Sequence, residues 1–127
     1  MDRTENDISY EIRGAIFNVY NELGPGLFES VYVAALCHEL EKRGCKVKVE
    51  IPVPVVYDNV KLELGFRIDI LVDNKVVIEV KSVENIAEVH HKQILTYLRL
   101  TGLKLGILVN FNVNNIKEGI FRKVNNL

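Results

Sequence analysis

Four charged residues stand where a buried strand should carry none: Arg67, Asp69, Glu79 and Lys81, within the two apolar runs of the stretch from Phe66 to Lys81. The stretch reads as two strands joined by a short turn. Alternation sorts the first strand into Phe66, Ile68, Ile70 and Val72 on one face and Arg67, Asp69 and Leu71 on the other. In the second strand Val76, Ile78 and Val80 oppose Val77, Glu79 and Lys81, so Glu79 and Lys81 project to the same side. Two neighbouring carboxylates offer hard oxygen ligands of the kind Mg²⁺ takes, leaving positions for water and phosphate. A lysine beside them adds a positive charge.

The length of the turn decides whether the carboxylates meet. A two-residue turn, Asp73-Asn74, pairs Val72 with Lys75 and puts Asp69 and Glu79 on opposite faces. A three-residue loop, Asp73-Asn74-Lys75, pairs Val72 with Val76, Ile70 with Ile78 and Asp69 with Glu79. The second register is preferred because it gathers the apolar residues on one continuous face. Like charges directly opposite each other destabilise a ladder, so a positive partner is expected between them. Lys81 could serve, and a divalent cation would serve better. The same pattern also describes an ordinary amphipathic hairpin with a solvated charged face.

The rest of the chain must position this hairpin. Ile8, Ile12, Ile16, Val19 and Leu23 recur at helical spacing, so residues 8–23 read as a helix with Asn6 or Asp7 as its cap. Gly24-Pro25-Gly26 ends it. A second helix is expected over 27–43, with Phe28, Val31, Tyr32, Ala35, Leu36 and Leu40 as its apolar stripe and Gly44 as its stop. Glu29 falls in its first turn, where the helix dipole favours a carboxylate. The tight turn before it would also aim Glu29 at the charged face of the sheet. Residues 46–57 form a valine-rich strand, and Pro52 and Pro54 place it at an edge or break it there.

Beyond the hairpin, a third helix runs over 87–101 to Gly102. Gln93 and Tyr97 share one of its faces. His90 and His91 are adjacent, point in different directions and read as solvated helix residues. Residues 103–110 make a central strand, 111–115 an asparagine-rich loop and 119–124 a last strand. The order is helix, helix, three strands, helix, two strands, which implies a mixed sheet with helices on its faces.

At 127 residues, nearly half of them hydrophobic, one domain spanning 1–127 with a real core is expected. The apolar runs are too short to span a bilayer. The polar start, Met1 to Asp7, lacks the apolar core of a signal peptide, so a cytoplasmic location is expected. Cys37 and Cys45 form no CxxC motif and read as reduced structural thiols. A formal net charge of −1 excludes coating of nucleic acid by bulk charge, so any such contact must come from a local patch.

An ordered set of motifs now stands out: Gly26-Leu27-Phe28-Glu29-Ser30-Val31-Tyr32, which fits GxxExxY, then Asp69, Glu79-Val80-Lys81, Gln93-Ile94-Leu95-Thr96-Tyr97 and Asn110-Phe111-Asn112. With these the chain resembles the GxxExxY proteins, a branch of the PD-(D/E)xK nuclease superfamily, over nearly its whole length. The QxxxY element looks like the RecB-type branch. One departure is plain: Ile68 precedes Asp69 where the motif's name has proline.

The resemblance implies a restriction-endonuclease-like αβββαβ core with an extra N-terminal helix. It implies Glu29, Asp69 and Glu79 as ligands of Mg²⁺ or Mn²⁺, and Lys81 as the residue that positions or activates the attacking water. It implies Gln93 and Tyr97 as contacts to the site or the nucleic-acid backbone. The activity implied is metal-dependent hydrolysis of phosphodiester bonds, with DNA as the partner, no membrane, and a homodimer as a further expectation. The alternative is a catalytically inactive module of the same fold that binds nucleic acid or a protein partner.

Overall fold

The computed structural model describes residues 2–127, apart from the side chains of residues 63–65. Its elements follow the expected order: α1 (Glu5–Leu23), α2 (Glu29–Lys42), β1 (Val47–Tyr57), β2 (Val60–Val72), β3 (Val76–Lys81), α3 (Glu88–Thr101), β4 (Leu105–Asn110) and β5 (Ile120–Val124), with a 3₁₀ turn at Ile116–Gly119 before β5. The five strands lie side by side in chain order. Neighbours are antiparallel except β3 and β4, which run parallel. A parallel pair needs a long crossover, and α3 supplies it. This is the mixed α/β architecture expected, with helices on the faces of a central sheet.

β1 is an edge strand, where prolines are tolerated because one side of the strand needs no ladder bonds. α1 starts earlier than its apolar periodicity suggests. Its cap is Thr4, not Asn6 or Asp7: the Asp7 N–H donates to the Thr4 hydroxyl at 3.1 Å, and the Thr4 N–H donates to the Asp7 carboxylate at 2.9 Å. This reciprocal pair satisfies two groups that either alternative alone would leave open.

The core divides into two layers. Ile8, Ile12 and Ile16 of α1 with Tyr32, Leu36 and Leu40 of α2 pack on Ile70, Val72, Val76, Ile78, Val80, Leu105, Ile107 and Val109. On the opposite face, Ile94, Tyr97 and Leu98 of α3 pack on Val53, Ile68, Val77 and Leu108. Gly106 lets α3 sit close to β4, since a Cβ there would lie 2.9 Å from Ile94 Cδ1. Each large apolar side chain buried this way stabilises the fold by about 1.5–3 kcal/mol.

The hairpin register is the three-residue one: Val72 pairs with Val76 and Ile70 with Ile78. Asp73 and Asn74 both adopt left-handed φ, 51° and 57°, a conformation that Asp and Asn tolerate better than most residues. The expected single apolar face needs correction. Ile70 and Val72 face α1 and α2, whereas Ile68 is buried beneath α3, and the Phe66 ring lies 5.3 Å from that of Tyr97. β2 therefore turns over at Asp69. β1 does the same opposite it: Val49 pairs with Ile70 and Ile51 with Ile68, while Glu50 between them has a φ of 51°.

Two expectations on α3 and β5 also change. His90 caps its helix, its Nδ1 accepting from the Ala87 N–H at 3.1 Å. His91 is half-buried, edge-on to Phe121 at 4.9 Å. The first residue of the expected last strand, Gly119, instead ends the 3₁₀ turn.

Candidate functional site

The β2–β3 ladder closes through Ile70 and Ile78 and goes no further as a backbone ladder. One step on, side chains replace main-chain acceptors. The Val80 N–H donates to Asp69 Oδ2 at 2.8 Å, and the Asp69 N–H donates to Glu79 Oε1 at 3.3 Å. Each carboxylate thus takes a backbone donor of the opposite strand, and the two acids sit side by side as the register required. Glu79 is only 5% exposed. Lys81 follows on the same face of β3, half-buried and in none of the ion pairs among the described residues.

Burial and mutual repulsion set the electrostatics. Glu79 is pushed up to about 8, first by burial and then by the Asp69 carboxylate beside it. Asp69 is also raised by burial, while the Val80 N–H and the Lys81 charge pull it back and the Glu29 charge adds to the rise. Both shifts favour the protonated forms of the two acids, Glu79 the more strongly. Tyr97, 3% exposed with its ring against Phe66, is raised by burial and by the charges of Glu79 and Asp69.

Glu29 reaches the same groove from the other side. A cavity of about 470 Å³ between α2 and the β1–β2 ribbon is lined by Glu29, Ser30, Val33, Val49, Glu50 and Asp69, among others. The GxxExxY segment explains how Glu29 is placed. Gly24 and Gly26 take positive φ, 69° and 97°, which the tight turn requires. The Tyr32 hydroxyl then clamps that turn, donating to the Gly24 carbonyl at 2.6 Å and accepting from the Leu27 N–H at 3.1 Å. The Tyr32 ring stacks on Phe111 at 4.2 Å, and the Phe111 N–H donates to the Lys81 carbonyl at 3.0 Å. The turn before Glu29 is thereby tied to the strand end that carries Lys81.

Of the residues expected at the site, Asp69, Glu79, Lys81 and Tyr97 come together, and Glu29 lies across the groove. Its carboxylate accepts from the Ser82 N–H at 3.0 Å instead of meeting the other two acids. Gln93 sits one turn before Tyr97 on α3, half-buried, with no side-chain hydrogen bond among the described residues. Three residues that sequence reasoning gave no site role also matter here. Glu50 lines the groove opposite Asp69. Ser82 holds Glu29. Asn110, 2% exposed, accepts from the Val83 N–H at 3.1 Å and donates to the Val83 carbonyl at 2.9 Å, fixing the chain after β3. The Asn-Phe-Asn motif was the available signal for Asn110. Nothing in the pattern around Glu50 or Ser82 marks them.

Among the described residues no three His, Cys, Asp or Glu side chains are grouped tightly enough to hold an ion as they stand. Mg²⁺ asks for less: one or two carboxylates, with waters and phosphate oxygens completing its shell. The Asp69–Glu79 pair supplies two such carboxylates side by side. No helix of the described residues is long and apolar enough to cross a membrane.

The family model described as the PD-(D/E)XK nuclease superfamily matches residues 6–123. Neither a curated protein nor a solved structure matches the chain.

Proposed function

Because the chain belongs to the PD-(D/E)XK nuclease superfamily, we propose that it is a metal-dependent nuclease that hydrolyses phosphodiester bonds of DNA. The observation that carries this reading is the exchange of hydrogen bonds by Asp69 and Glu79 across β2 and β3, with Glu79 buried, Asp69 half-buried, both raised in proton affinity, and Lys81 beside them. Nucleases of this superfamily generally use divalent metals. Here Asp69 and Glu79 would hold Mg²⁺ or Mn²⁺, with Glu29 completing the shell from α2. When bound, such an ion lowers the pKa of water and offsets charge on the phosphoryl group.

The chain's own side chains divide the remaining work. Lys81 positions the attacking water and balances the negative charge that grows on the phosphate. Tyr97 offers a neutral hydroxyl donor, and Gln93 an amide, to the nucleic-acid backbone from α3. The GxxExxY turn and the QxxxY spacing support placement in the GxxExxY group, with a RecB-like α3. One domain acting as a homodimer is part of the same proposal.

The test is cleavage of supercoiled plasmid and of a single-stranded oligonucleotide with Mg²⁺, Mn²⁺ or EDTA. The wild-type chain is expected to cut with metal and not with EDTA. Asp69→Ala and Lys81→Ala are expected to remain folded and inactive. Undiminished cleavage by both variants contradicts the proposal.

A further inference from the structure

Ser82 makes two hydrogen bonds that point in one direction. Its N–H donates to Glu29 Oε2 at 3.0 Å, and its hydroxyl donates to the Leu27 carbonyl at 2.6 Å. Both acceptors belong to the segment that starts α2, more than fifty positions earlier in the chain. Ser82 itself directly follows Lys81, and its neighbour Val83 is locked by Asn110. One small residue thus joins the end of β3 to the start of α2 and grips both the carboxylate of Glu29 and the backbone two residues before it.

We propose that Ser82 is a positioning residue for the site, holding Glu29 on the wall of the groove that Asp69 also lines. The inference rests on the reading of these acids as a cation site. The geometry gives it a specific form. Glu29 is exposed and sits at the first turn of a helix, where a glutamate has three free torsions and water on most sides. Left alone it would sample many rotamers, and ordering it at the moment of ion binding would cost affinity. The Ser82 N–H restricts that freedom beforehand. The hydroxyl acts one step back, on the turn, by holding the Leu27 carbonyl while Tyr32 holds the Leu27 N–H. Supporting contacts of this kind typically change metal affinity or activity by about 10–100-fold when lost.

The test is a double-mutant cycle read by calorimetric titration of Mn²⁺ alone, with melting temperatures in EDTA as a control. Ser82→Ala removes the hydroxyl and keeps the N–H. It is expected to weaken Mn²⁺ binding by about tenfold, and Ser82→Thr, which keeps a hydroxyl, is expected to restore it. In a Glu29→Gln background the same Ser82→Ala change is expected to shift Mn²⁺ affinity less than about twofold, because the residue it acts through has already been altered. A purely structural role would lower the melting temperature in both backgrounds and leave the affinity ratio between them unchanged. Equal weakening in both backgrounds, or none in either, overturns the inference while the cation site stands. A wild-type chain that takes up no Mn²⁺ overturns the cation site and the inference together.

Discussion

The two ends of the β2–β3 hairpin are built from the same strands to opposite ends. Near the loop, Ile70, Val72, Val76 and Ile78 are fully buried and paired through the backbone, as stability demands. One step away, Asp69 and Glu79 take over the acceptors' places with their side chains, and burial forces both acids toward their protonated forms. The closed end lowers the free energy of the fold. The open end raises it and is the seat of the cation in the proposed function. A site of this kind is stable only because the apolar end next to it holds the two strands in register, since a slip by one residue would turn every side chain to the other face.

Mutations at the two ends should therefore move different observables. The largest effect is expected from Glu79→Gln: cleavage falls by more than about 100-fold, beyond the loss usual for supporting residues, while the metal-free melting temperature holds or rises because a buried acid has been neutralised. Ile78→Ala, one residue earlier in the strand, is expected to do the reverse in kind. It should cost about 2–5 kcal/mol of stability by leaving a cavity, read as a lower urea midpoint, and reduce cleavage only through loss of folded protein.

The contrast also predicts a pH dependence. Glu79 is raised from 4.5 to about 8 in the folded chain. Between those values the unfolded chain binds fewer protons than the folded one, so metal-free stability falls as pH rises from about 5 to 8 and levels off above that. Urea midpoints across this window should show the slope in the wild type and a flatter line in Glu79→Gln. Mn²⁺ bound by Glu79 would replace its proton, so Mn²⁺ affinity should climb over the same window. The smallest effect is expected from Tyr32→Phe, which keeps the ring on Phe111 and loses the clamp on Gly24 and Leu27. A loss of about 1–2 kcal/mol in stability, with a weaker Mn²⁺ affinity, would show that the turn serves the open end as well as the fold.

The register, the element order and the meeting of Asp69 with Glu79 were legible because they follow from apolar pairing: only one loop length put Ile70 against Ile78 and Val72 against Val76. The reversal of faces at Asp69 was not. It depends on the left-handed backbone of Glu50, and nothing in Val49-Glu50-Ile51 announces such a conformation, which is uncommon outside glycine. Glu29 could be picked out from its tight turn and motif. Its resting contact could not, because Ser82 is a small polar residue at a strand end, a place where serine carries no signal of its own. His91 was misread for a related reason: its burial is imposed by Phe121 of β5, thirty residues away.

The central claim is that Asp69 and Glu79 together form the seat of a divalent cation. Crystals soaked in Mn²⁺ and measured near the manganese absorption edge test it most directly. An anomalous peak within coordination distance of both carboxylates is the predicted result, and one that disappears in Glu79→Gln crystals under the same soak. A well-ordered wild-type site with no peak there, or a peak that persists unchanged in the variant, contradicts the account.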